Sequence, residues 1–68
     1  MAKVANFVQK FRRKKKLTQE KLANRAGVTR QTIITMEKGN YTPSVALALK
    51  LAKIFRIRVE ELFKLSRR

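Results

Sequence analysis

At 68 residues the chain is bounded to one small core, since a chain near 60 residues buries only about 60% of the surface it exposes when unfolded. Eighteen Lys plus Arg against four acids give a formal charge of +14, a field that attracts polyanions and leaves nucleic acid, an anionic membrane face and acidic proteins as candidate partners. Cys and His are both absent, which excludes disulfides, thiolate nucleophiles, imidazole bases and the usual zinc sites, so no metal and no cofactor is expected.

Val4, Phe7, Val8 and Phe11 fall at i, i+3, i+4 and i+7, which predicts a first helix from Lys3 to Lys15. Arg12 to Lys16 form an unbroken basic run, read as a solvated helix end. Thr18 is a good N-cap for a second helix, Gln19 to Ala26, although Lys21 stands where a capping box would place Glu. Gly27 stops that helix, because glycine reaches the left-handed conformation at little steric cost. Thr29 then caps a third helix, Arg30 to Lys38, with Ile33 and Met36 turned inward and Gly39 closing it.

Thr42 and Pro43 suit the start of a fourth helix, Pro43 to Phe55. Its apolar residues Val45, Leu47, Leu49, Leu51, Ala52 and Phe55 cover more than one stripe, which predicts the central, most buried helix. A fifth helix, Val59 to Leu65, sets Val59, Leu62 and Phe63 on one face, with Glu60 and Glu61 in the first turn where acids suit the dipole. No alternating stretch is long enough to propose a sheet, and no linker or repeat divides the chain. The expectation is therefore an all-α, compact five-helix bundle in a single domain over residues 1–68.

Two short helices joined at a glycine, the second opening on Thr29, Arg30 and Gln31, suit a unit that inserts one helix end into the major groove of DNA. Ala23 lets the pair approach closely, and Leu22, Val28, Ile33 and Met36 fill the space beneath. The segments LTQEKLA from Leu17, GVTRQTI from Gly27, EKG from Glu37 and TPS from Thr42 resemble the lambda-repressor-like (Cro/Xre) transcription regulators over nearly the whole chain. The resemblance implies a helix-turn-helix in the second and third helices of a five-helix bundle. Residue by residue, it implies that Arg30, Gln31 and Thr35 face base edges. It further implies that Gln19 contacts phosphate at the second helix start, and that Thr29, Lys38, Asn40 and Tyr41 contact the DNA backbone. Arg12 and Glu37 correspond to a structural ion pair tying the first helix to the third.

Side-chain chemistry is compatible with those roles. An Arg guanidinium donates two hydrogen bonds to guanine O6 and N7, and a Gln amide pairs with adenine N6 and N7. Orphan N–H groups at the helix starts, with the positive dipole end, suit phosphate, and Thr18 combines capping with such a contact. Ile34, on the side of the third helix where polar residues are usual, either touches a thymine methyl or is an isolated exposed apolar residue. Tyr41 either reaches phosphate or packs over the fourth helix. Departures from the family pattern are Lys16 and Arg56, where a helix-ending Gly is common, and Arg58 in place of a Ser or Thr cap.

The expected partner is double-stranded DNA, bound in sequence-specific fashion by a repressor acting as a homodimer, with no small-molecule substrate. Phe63, Leu65 and Leu49 form the expected dimer surface. Lys53, Arg56, Arg58, Arg67 and Arg68 read mostly as a diffuse solvated field. Glu20, Glu37, Glu60 and Glu61 are the only acids and leave no paired-carboxylate site, so no enzyme is expected. The first helix alone is amphipathic and basic enough for a membrane-surface peptide, but the glycine-bounded helix pair argues against it. An antitoxin-like module that also binds DNA is the rival within the family, disfavoured because the fifth helix ends almost at Arg68. No signal-peptide run follows Met1 and no stretch approaches the roughly 20 apolar residues of a membrane span, so the expected location is cytoplasmic.

Overall fold

Three hydroxyls open three helices in the same way. Thr18 Oγ1 accepts from Lys21 N at 3.0 Å, Thr29 Oγ1 from Thr32 N at 3.2 Å and Ser44 Oγ from Leu47 N at 3.1 Å. Each satisfies one of the N–H groups that a helix start leaves without an internal partner. In the computed structural model, which describes residues 3–66, these caps begin α2 (Gln19–Ala26), α3 (Arg30–Glu37) and α4 (Val45–Phe55). The fourth helix thus starts two residues later than expected, capped by Ser44 rather than Thr42, and Pro43 lies in the preceding loop.

The helix ends share a second device. Leu17 N donates to Arg12 O, Val28 N to Ala23 O, Asn40 N to Thr35 O and Ile57 N to Ala52 O, at 3.0 to 3.1 Å. In every case the residue just before the donor has a positive φ: Lys16 at 56°, Gly27 at 73°, Gly39 at 83° and Arg56 at 58°. This six-to-one bond satisfies a carbonyl that the last turn leaves over, and it needs a left-handed residue. Lys16 and Arg56 adopt that conformation despite their Cβ atoms, at a cost of roughly 1–2 kcal/mol each. Leu17 is buried, and Val28 and Ile57 pack against the core, so three of these turns also drive an apolar side chain inward.

The remaining elements are β1 (Lys3–Asn6), α1 (Val8–Lys14), α5 (Val59–Leu62) and β2 (Phe63–Ser66). Here the structure corrects the sequence reading: the first helix loses its first turn and the fifth its last, and both become strands. They pair antiparallel, with Val4 opposite Leu65 and Asn6 opposite Phe63, so the fold is mostly helical with a two-stranded sheet and not strictly all-α. Asn6 starts α1 from outside it, its Oδ1 accepting from Val8 N at 3.1 Å. Arg58, having no acceptor, cannot cap α5; Glu61 accepts instead from Arg58 N at 2.9 Å.

Val8, Leu22, Ile33, Met36, Leu51 and Leu62 are the largest fully buried side chains, one or more from each helix. Phe11 and Phe55 stack at 6.1 Å between ring centroids, closing α1 on the end of α4. The fourth helix contributes four buried residues, Leu47, Leu51, Ala52 and Phe55, more than any other helix, while Leu49, expected at a surface, is 54% exposed and Val45 is 76% exposed. Phe63 packs against the core whereas Leu65 is 77% exposed. Arg67 and Arg68 lie outside the described residues.

Replacing Leu51 by Ala should cost about 2–5 kcal/mol of unfolding free energy, because it leaves a cavity at the centre of the cluster. Lys16→Gly should instead stabilise by about 0.5–1 kcal/mol, the relieved left-handed strain outweighing glycine's larger unfolded entropy. Urea denaturation at fixed salt measures both.

Candidate nucleic-acid interface

Gly27 sets the angle between α2 and α3. A Cβ built there would meet Lys50 Nζ at 3.6 Å, an ordinary contact, so the glycine is required by its φ of 73° and not by space. Lys50, from α4, reaches across to donate to Ala26 O at 3.4 Å and holds the last turn of α2. Ala23 is buried where α2 and α3 converge.

The far end of α3 is fixed by charge. Arg12 Nε lies 2.7 Å from Glu37 Oε2 and Nη2 lies 3.3 Å from Oε1, a two-pronged pair whose side chains are only 11% and 3% exposed. The remaining prong, Arg12 Nη1, donates to Leu17 O at 2.8 Å. Gln19 Nε2 donates to Glu37 Oε1 at 3.2 Å. One carboxylate therefore gathers α1, the start of α2 and the end of α3. Among the described residues no buried side-chain nitrogen or oxygen lacks a partner.

Against this fixed frame the start of α3 points outward. Arg30 and Gln31 are exposed and Thr35 is partly buried. Gln31 Nε2 donates to Thr35 Oγ1 at 3.2 Å, linking two of the expected base-facing residues along one helix face. Among the described residues no acid pairs with Arg30, since the only ion pair is Arg12 with Glu37. Ile34 is half-buried, not exposed as the sequence suggested, yet it is not among the residues packed on the core.

Of the expected phosphate contacts, Thr18, Thr29, Lys38 and Asn40 are exposed, and Tyr41 is 41% exposed in the loop between α3 and α4. Capping uses an oxygen lone pair of Thr18 and leaves its hydroxyl hydrogen for another acceptor. Gln19 differs from the rest: it is half-buried and its side-chain amide already donates to Glu37. Sequence reasoning missed Asn6 and Lys50, whose partners lie 30 and 24 residues away.

A helix-turn-helix family model matches residues 8–62, which takes in all five helices. The chain belongs to the Cro/Xre-type helix-turn-helix family. Its relatives include an uncharacterized HTH-type transcriptional regulator of Archaeoglobus fulgidus, 50% identical over 82% of this chain and 80% of its own length. Another is the HTH-type transcriptional regulator YgzD of Bacillus subtilis, 47% identical over 90% of this chain and 92% of its own. Among solved structures, the restriction-modification controller protein C.AhdI of Aeromonas hydrophila superposes with a TM-score of 0.76 at 36% identity, covering 82% of this chain and 85% of that one. This Cro/Xre-type protein is accordingly a DNA-binding transcriptional regulator.

Removing one partner of the Arg12–Glu37 pair should strand a buried charge. Arg12→Met should cost about 3–5 kcal/mol in urea melts, and the double variant Arg12→Met with Glu37→Leu should recover at least half of that loss.

Proposed function

We propose that the protein represses transcription by occupying promoter DNA, with the first turns of α3 set in the major groove and Arg30, Gln31, Ile34 and Thr35 meeting base edges. The observation that carries this reading is the exposed guanidinium of Arg30, without an acidic partner among the described residues, at the start of a helix whose other end is tied by a buried ion pair. An exposed cation on a helix tethered at its far end loses little entropy when it forms two hydrogen bonds to guanine. Thr18, Gln19, Thr29, Lys38, Asn40 and Tyr41 then hold phosphates on either side and set the register. Arg12 and Glu37 stay within the protein, as scaffold.

Two copies bound to an inverted repeat complete the proposal, with half-sites about 34–36 Å apart. Leu49, Val45 and Leu65 supply exposed apolar surface for the contact. Phe63 supports it from the core side and contributes less bare area than its sequence position suggested. A formal charge of +14 per copy opposes pairing at low salt, so DNA, which neutralises it, should favour the dimer. Among the described residues no helix is long and apolar enough to cross a membrane. The work proposed here is done on DNA in the cytoplasm, by binding without catalysis, over a single domain.

Selection from a random duplex library at stated salt should return an inverted repeat. On that duplex, Arg30→Ala and Gln31→Ala should each relax base preference by about 1–3 kcal/mol at one position. Lys38→Ala should weaken all sequences alike and flatten the salt dependence by about one unit of slope. Sedimentation should show two chains per full site, and Leu49→Asp should leave one chain per half-site while base preference persists.

A further inference from the structure

Asn6 sits in β1, outside the segment the helix-turn-helix model spans, yet it touches the end of α3. Its amide is divided between two tasks. Oδ1 accepts from Val8 N at 3.1 Å and opens α1, while Nδ2 donates to Met36 O at 2.8 Å. Met36 O also accepts from Gly39 N at 2.9 Å, so this carbonyl has both lone pairs engaged at the point where α3 stops.

We propose that Asn6 is a positioning residue for DNA reading, through which the terminal sheet fixes the tilt of α3. The inference rests on the reading that α3 meets base edges. The ion pair at Glu37 ties α3 at a side chain, through bonds that can pivot. Asn6 ties it one residue earlier and at the backbone itself. Two ties on adjacent residues, one to α1 and one to β1, oppose the rocking that either alone permits. The lever is long enough to matter. Arg30 lies six residues before Met36, roughly 9 Å along the axis, so a tilt of about 10° at the tie moves the reading end by about 1.5 Å. Base-edge hydrogen bonds do not survive that displacement, whereas contacts from flexible cations to phosphate do.

β1 is itself held only at its own position in the fold. It pairs with β2, and Phe7 N donates to Leu62 O at 2.9 Å, so the strand that carries Asn6 is anchored by the last elements of the chain. The sheet thereby becomes part of the reading apparatus.

Asn6→Asp separates the two tasks, since the carboxylate still accepts from Val8 N but offers no hydrogen to Met36 O. Binding is measured by fluorescence anisotropy on the selected duplex and on a scrambled duplex of equal length, at one salt concentration. The expected result is a loss of about tenfold on the selected duplex, with affinity for the scrambled one changed less than twofold and the salt slope unchanged. Hydrogen exchange should quicken at Gly39 and Asn40 while the amide of Val8 keeps its protection. Equal losses on both duplexes, or no loss on either, would overturn the proposal. If the Asp variant is unfolded at the assay temperature, Asn6→Ser makes the same separation, its hydroxyl still able to accept from Val8 N but too short to reach α3. An unaltered protein that binds both duplexes equally would instead refute base reading by α3, a separate failure.

Discussion

Glu37 carries the one buried carboxylate among the described residues, and three elements are arranged around it. An isolated anion in that place would cost several kcal/mol in lost hydration. Arg12 meets it with two prongs, Gln19 adds an amide hydrogen, and the third Arg12 prong satisfies Leu17 O beyond. Because a planar guanidinium fits a carboxylate in only a few orientations, the pair narrows the ways α1 can meet α3, and the Asn6 bond to Met36 O removes the pivot that remains. Hydrophobic packing of Ile33 and Met36 holds α3 against the core, but apolar contact is tolerant of sliding. The charged cluster is what makes one arrangement of α1, α2 and α3 distinct from its neighbours.

What could be read in the sequence is what depends on nearby residues. The bounds of α2 follow from Thr18 and Gly27, and the start of α3 from Thr29, because caps and left-handed stops act within four residues of themselves. The terminal strands obey a different rule. Val4, Phe7, Val8 and Phe11 match a helical face, and four-residue strands are too short for alternation to declare itself; only the pairing of Val4 with Leu65, across the length of the chain, decides between the two. The outer face of α4 was hidden for a related reason. Val45 looks like core on composition, and its exposure is settled by which face Leu47, Leu51 and Phe55 turn inward. The ion pair came from resemblance to a family, while Asn6 and Lys50, short-range in no sense, announced themselves by nothing local.

The excess charge is distributed rather than pooled. Lys10 lies 5.9 Å from the Phe7 ring and 5.7 Å from Phe11, with Lys14 also 5.7 Å from Phe11, so α1 shelters part of its cationic stripe against aromatic faces. Helix ends at Lys16 and Arg56 accept a strained backbone where glycine would sit easily, and place a cation there. Each choice costs a little stability and adds to the long-range attraction for a polyanion, which acts before any specific contact is made.

The pairing of Lys3 with Ser66 makes neighbours of positions 63 residues apart. The described backbone between those two positions thus approximates a ring, with its seam on the side of the sheet. A ring of this kind keeps its topology when the seam is sewn and a new opening is cut elsewhere, the property that permits circular permutation. The Asn40 to Pro43 connection between α3 and α4, which contains no helix or strand, offers such an opening.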